Sequence, residues 1–161
     1  MRRVLDLIEK AARVQIVGVG ASSLVARDLT YKLQRLHRMV IFDADSHVQV
    51  ANAATLTAGD LVIALSQSGD SLETRRIVET ASKNGAGVLT ITGAQPNRLA
   101  ELADVQLYAV AEEERHRSSA IFSRDAQLAL IDLLFIQLVQ TSDAAGPLIR
   151  AAEEAVSILK K

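Results

Sequence analysis

Along the chain, short unbroken apolar runs alternate with stretches in which apolar residues return every three or four positions. Val4, Leu7, Ile8 and Ala11 fit that second pattern and predict an amphipathic helix over residues 2–12. Val14 to Val19 reads as a strand emptying into Gly20-Ala21-Ser22-Ser23, after which Leu24, Asp28, Leu29, Lys32 and Leu33 carry a helix to Leu36. Met39 to Phe42 is a short strand closed by Asp43-Ala44-Asp45, and a helix is expected over 46–57. Gly59-Asp60 turns the chain into its most continuous apolar run, Leu61-Val62-Ile63-Ala64-Leu65, which stops abruptly at Ser66-Gln67-Ser68-Gly69-Asp70-Ser71. The next helix runs to Lys83 and ends at Asn84-Gly85, a C-terminal stop signal. Gly87 to Thr92 is a further strand, Pro96 opens a helix over 97–103, and Val105 to Val110 is the last strand. Strand and helix thus alternate through five strands, which predicts a parallel sheet covered by helices on both faces.

Beyond the sheet, Glu112-Glu113-Glu114-Arg115-His116-Arg117-Ser118-Ser119 reads as a charged, solvated loop. A long helix over about 120–140 is apolar almost all round in its second half, so it is either central in the domain or packed on another subunit. A final helix over about 145–160 carries Leu148, Ile149, Ala152, Val156 and Leu159 on one stripe, which surface packing and dimerisation explain equally well.

Composition narrows the options. The chain has 161 residues, the size of one domain, and is 49% hydrophobic but only 3% aromatic, as expected of strands buried between helices. A net charge of −1 gives no basic face with which this chain alone would grip nucleic acid. The absence of cysteine excludes disulfides, thiolate metal sites and a cysteine nucleophile, and fits a cytoplasmic protein. The N-terminus intersperses charges where a signal peptide needs an apolar core, and Leu128 to Val139 is too short and too polar for a membrane span. A soluble protein with no membrane partner is expected.

Ligands of open parallel sheets bind outside the carboxyl ends of the strands, where the strand order reverses. Two such ends are chemically distinctive here. One is Gly18-Val19-Gly20-Ala21-Ser22-Ser23 and the other is the Ser66–Ser71 turn. A helix N-terminus offers unpaired N–H groups and the positive end of the dipole, and hydroxyls beside it make a seat for a phosphate. Each loop alone is explained by serine as an N-cap and Gly-Asp as a turn. Together they direct as many as five hydroxyls at one crevice. A dinucleotide site ranks low: Ser23 stands where the fingerprint needs its third glycine, although Asp43 and Asp45 lie at the ribose-binding distance. A lone histidine is usually structural, but His47 lies near the same edge, within reach of a sugar hydroxyl as the alternative. Three histidines without ligand-like spacing argue against a metal, no cofactor is implied, and the Gly-x-Ser-x-Gly nucleophile pattern is absent.

Ser66-Gln67-Ser68-Gly69-Asp70-Ser71, preceded by Gly20-Ala21-Ser22, resembles the SIS (sugar isomerase) domain, whose Ser-x-Ser-Gly-x-Thr signature is kept except for Ser71. The resemblance extends to Gly59-Asp60, Asn84-Gly85-Ala86, Thr90-Ile91-Thr92 and Leu102-Ala103-Asp104 and so covers essentially the whole chain. It implies a flavodoxin-like α/β fold, a three-layer α-β-α sandwich around a five-stranded parallel sheet, usually dimeric, that binds phosphosugars. Val25-Ala26-Arg27-Asp28-Leu29, Asp45-Ser46-His47-Val48-Gln49 and Arg117-Ser118-Ser119 through Ser123-Arg124-Asp125-Ala126-Gln127 resemble more narrowly the effector domain of RpiR-type transcription regulators. In that family a helix-turn-helix domain precedes the SIS domain. The expectation is that residues 1–161 are a single SIS domain from which that DNA-binding domain is missing, with a natural single-domain protein as the alternative. By resemblance, Ser22, Ser66, Ser68 and Ser71 bind the phosphate, and Gln67 in the same turn is counted among the ligand-binding residues. Ser23, His47 and Arg124 reach the sugar. The nearest pattern is that of regulators responding to amino-sugar phosphates such as N-acetylmuramic acid 6-phosphate.

An SIS isomerase needs a carboxylate base, typically glutamate, near the start of the long helix. Here that place holds Ser123-Arg124-Asp125; Asp125 is one methylene shorter, and Arg124 cannot accept a proton. Glu112 to Glu114 lie upstream in the expected loop. The reading is therefore a non-catalytic sensor: a sugar phosphate docks on Ser66–Ser71 and Ser22, Arg124 closes over it, and subunits of a homodimer or higher oligomer reorient. Nucleic acid would be reached only through the missing domain. A phosphosugar isomerase and a dimerisation module without ligand are the rivals.

Overall fold

A computed structural model describes residues 1–111 and 120–160. The expected charged loop 112–119, with Arg117, Ser118 and Ser119, lies outside the described residues. Strands β1 (Val14–Gly18), β2 (Val40–Ile41), β3 (Leu61–Ser66), β4 (Gly87–Thr92) and β5 (Val105–Tyr108) form one wholly parallel sheet in the order β2-β1-β3-β4-β5. Helices α1 (Arg2–Lys10), α2 (Ala21–Arg35), α3 (Ser46–Ala53), α4 (Leu72–Lys83), α5 (Ile121–Thr141) and α6 (Ala145–Ser157) cover it.

Every residue of β1 and β3 is buried, which is why these strands read as apolar runs rather than as alternations. Successive side chains still point to opposite faces. Leu61, Ile63 and Leu65 join the cluster built with α1, α2, α5 and α6, whereas Val62 and Ala64 join the one built with α3 and α4. The result is the expected three-layer α/β sandwich. Its switch point lies between β1 and β3, where the chain order turns from outward through β2 to outward through β4 and β5.

The opposite, amino-terminal edge of the sheet carries an ion pair between the partly exposed Arg13 and the buried Asp60. Arg13 meets Asp60 through Nε–Oδ1 at 3.0 Å and Nη2–Oδ2 at 2.6 Å, and the Thr57 N–H and hydroxyl donate to the same Oδ2 at 2.7 and 2.9 Å. The bonds from Arg13 above all, reinforced by those from Thr57, hold the Asp60 carboxyl down at about 2 against the cost of burying it.

Three elements differ from expectation for visible reasons. The helix expected over 46–57 stops at Ala53, because Thr57 turns back onto Asp60. The helix expected over 97–103 is a single 3₁₀ turn, Ala100–Leu102: Asn97 Oδ1 takes the Ala100 N–H, and the Leu99 N–H goes across to the Gly69 carbonyl. In α5, Ile131, Leu134 and Leu138 are buried, but Phe122, Ala129, Leu133 and Ile136 form an exposed apolar stripe. The apolar second half of α5 is thus half core and half open surface. Among the described residues no single helix is long and apolar enough to cross a membrane.

Candidate functional site

Gly18 of β1 pairs with Leu65 of β3, so the turns leaving these two strands lie side by side at the carboxyl edge of the sheet. The first passes through Gly20, whose φ of 61° and ψ of −131° suit glycine, and enters α2 at Ala21. The second enters α4 at Leu72 with Ser71 as its N-cap. Two helix N-termini therefore open on one crevice, each with unpaired N–H groups.

The five expected hydroxyls are there, but they are not equivalent. Ser66 and Ser68 accept hydrogen bonds from the N–H groups of Gly69 and Asp70, both at 3.2 Å, and among the described residues neither hydroxyl proton has an acceptor. Those two protons are free for an anion. Ser71 accepts from Thr74 and donates to Glu73 Oε2 at 3.1 Å. Ser23 donates to the Gly20 carbonyl at 2.7 Å, closing the first turn of α2, and Ser22 donates to Gln127 Oε1 at 3.4 Å.

The serine turn is held from below. Gly69 has φ +68°, and a Cβ built on it would stand 2.0 Å from Asn97 Oδ1. Asn97 is 8% exposed; its amide donates to Thr92 Oγ1 and the Gln95 carbonyl at 3.2 and 2.9 Å. The Gly93 N–H and Leu99 N–H bond to the Gln67 and Gly69 carbonyls, both at 3.0 Å. The strand β4 exit thus buttresses the turn at three points. Sequence reasoning missed Asn97 because Pro96-Asn97 reads equally well as the start of a helix.

It also missed what Gln127 does. This side chain, 1% exposed, sits on α5 between the two turns: Oε1 accepts from Ser22, and Nε2 donates to Gln67 Oε1 at 3.4 Å. Gln67 Nε2 in turn donates to the Ala109 carbonyl at 3.3 Å. A signal existed, since Gln127 lies on the helical row of Ile131, Leu134 and Leu138, a polar residue on an apolar face. A second buried amide, Gln49, ties the β2–α3 loop to β1 by donating to the Asp43 and Gly18 carbonyls at 2.8 and 3.4 Å.

The structure therefore gathers Ser22, Ser66, Gln67, Ser68 and Ser71 at the switch point. His47 and Arg124 have no described contact with the serine turn. His47 is exposed in the first turn of α3, where its N–H bonds to the Asp45 cap at 2.7 Å. Arg124 faces Asp125 at 3.9 Å in the first turn of α5, and Asp125 itself is 61% exposed. Ser23 borders a depression of about 440 Å³ with Leu24, Arg27, Phe42, Asp43 and Ala44. Among the described residues no group of three acidic, histidine or cysteine side chains is placed to hold a metal ion.

Known proteins share this fold. Vibrio vulnificus NanR, solved in complex with ManNAc-6P, superposes with a TM-score of 0.90 at 28% identity over 98% of this chain and 60% of that chain. This chain therefore spans about 60% of the length of NanR. The sugar isomerase domain of the RpiR transcription factor from Sphaerobacter thermophilus gives a TM-score of 0.79 at 23% identity, over 95% of this chain and 84% of that one. Methanococcus jannaschii MJ1247, whose inferred function is that of a 3-hexulose-6-phosphate isomerase, gives 0.72 at 18%, over 86% and 75%. The latter two share the fold alone. The sequence model of the SIS domain matches residues 7–137, and with the serine turn in place at the switch point the chain belongs to the SIS domain family.

Proposed function

We propose that this chain is the phosphosugar-binding effector domain of an RpiR-type transcription regulator, acting as a sensor rather than an enzyme. The observation that carries the reading is the Ser66–Ser71 turn, with two uncommitted hydroxyl protons at the N-terminus of α4. A phosphate there would take charge-assisted bonds from Ser66, Ser68 and the turn's N–H groups. Ser22, Gln67 and Ser71 complete the phosphate end, and Ser23, His47 and Arg124 reach the sugar end. The likeness to NanR, which was solved with ManNAc-6P, supports an amino-sugar 6-phosphate, and N-acetylmuramic acid 6-phosphate is the second candidate.

The sensor reading further rests on α5, which offers Arg124 and the exposed Asp125 where an isomerase needs a glutamate aimed at substrate. A homodimer in the cytoplasm, contacting DNA through a separate domain, completes the proposal, and the stripe of Phe122, Leu133 and Ile136 supports the dimer. A thermal-shift screen against N-acetylmannosamine, N-acetylmuramic acid and glucosamine 6-phosphates tests it. A ligand at one hundred times its Kd stabilises by about 2.7 kcal/mol. No shift with any of them, or a shift that survives Ser68→Ala, overturns the site. An isomerase is the second reading, because the fold is shared with MJ1247; turnover of ketose or aldose phosphates by the purified chain would replace the sensor with it.

A further inference from the structure

We propose that Gln127 is the positioning residue through which an anion on the serine turn is felt at the end of β5 and in α5. The inference rests on the phosphosugar reading above and concerns what binding does to the rest of the chain.

The far end of the chain of side chains is the Ala109 carbonyl, which can only accept. Gln67 must therefore turn its NH₂ toward Ala109 and its Oε1 toward Gln127. Gln127 must then give Nε2 to Gln67 and keep Oε1 for Ser22, so the single proton of Ser22 is donated to Gln127. A backbone carbonyl at one end thus fixes the sense of all three links. Ser22 stands at the other end, in the turn expected to hold the phosphate.

A phosphate oxygen also only accepts, and Ser22 has one proton. Ser22 cannot serve the phosphate and Gln127 together. When the anion takes that proton, Gln127 Oε1 loses its donor inside a side chain that is 1% exposed, where an unpaired acceptor is costly. A half-turn of the Gln127 amide repairs this, with Nε2 now donating to the Ser22 lone pair. Gln127 then shows Oε1 to Gln67, whose amide must also turn. Gln67 Oε1 is left facing the Ala109 carbonyl, two acceptors in contact, and that link breaks. Ala109 follows β5 and is 2% exposed, its N–H held by the Thr92 carbonyl at 2.8 Å. Occupancy at Ser22 is thereby converted into release of the sheet edge from which the chain departs toward α5.

Amide hydrogen exchange read by mass spectrometry tests this, with N-acetylmannosamine 6-phosphate and inorganic phosphate as probes. In the unaltered chain, saturating probe is expected to slow exchange over residues 66–74 and to speed it over 109–111. In Gln127→Met the protection over 66–74 should remain and the change over 109–111 should vanish. Affinity should rise about two- to threefold, because a weak bond at Ser22 no longer competes. If Gln127→Met does not fold, Gln127→Leu removes the same amide with a different side-chain shape and should abolish the same response. Protection over 66–74 with an unchanged response at 109–111 in either variant overturns the relay alone. Failure of both probes to protect 66–74 in the unaltered chain overturns the phosphosugar reading and the relay with it.

Discussion

Asn97 and Glu73 show how unequal the residues around the serine turn are. Asn97 fills the space that any side chain at position 69 would need, so Gly69→Ala meets both a left-handed φ and a collision with the amide. That substitution is expected to destabilise the chain by about 1–3 kcal/mol and to abolish sugar-phosphate binding, read by urea titration and calorimetry. Glu73 acts in the opposite sense. Its carboxylate holds the Ser71 proton and places a negative charge at the mouth of the proposed anion site. Glu73→Gln should therefore tighten phosphate binding severalfold at low salt, with the gain fading as ionic strength rises. At this scale the sequence was only half legible. Ser66, Ser68 and Ser71 announced themselves by type and spacing. Asn97 and Gln127 act through partners 28 and 60 positions away, at Gly69 and Gln67, and no local pattern carries such a pairing.

At the scale of elements, α5 shows what periodicity can and cannot say. Its second half is apolar on nearly every side, so sequence alone left a central helix and a subunit contact equally open. The structure separates neighbours: Leu134 is fully buried, whereas Leu133 is 47% exposed. Leu134→Ala should cost about 2–5 kcal/mol in chemical denaturation, and Leu133→Ala well under half of that. If the exposed stripe joins two copies, Leu133→Asp with Ile136→Asp shifts the sedimentation coefficient to that of a monomer while leaving the circular dichroism spectrum intact. The strands were legible for the reason that β1 and β3 are buried on both faces. The 3₁₀ turn at Ala100–Leu102 was not, because Asn97 and Gly69 divert N–H groups that a helix would have used.

For the whole molecule, the Arg13–Asp60 pair and the proposed binding site lie at opposite edges of the sheet. Asp60, held at about 2 against an ordinary 3.8, binds its proton less readily when folded than when unfolded. Its contribution, on the order of 2 kcal/mol, is thus complete above about pH 4 and is lost as pH falls through the folded value. Asp60→Asn should flatten the acid limb of the stability curve between about pH 4 and 2, measured by urea titration at each pH. Phosphate binding near neutrality should be unaltered, since the pair lies at the amino-terminal edge.

The two backbone hydrogen bonds and the packed Asn97 side chain beneath the serine turn also bear on time. A turn already fixed by Gly93, Leu99 and Asn97 has little rearranging to do before it meets a phosphate. Capture should then proceed at the rate of encounter: in stopped flow the fast phase climbs linearly with sugar-phosphate concentration and reaches no plateau. In the proposed sensor, such a turn would follow rapid changes in sugar-phosphate concentration, with a response time set by how long the ligand stays bound.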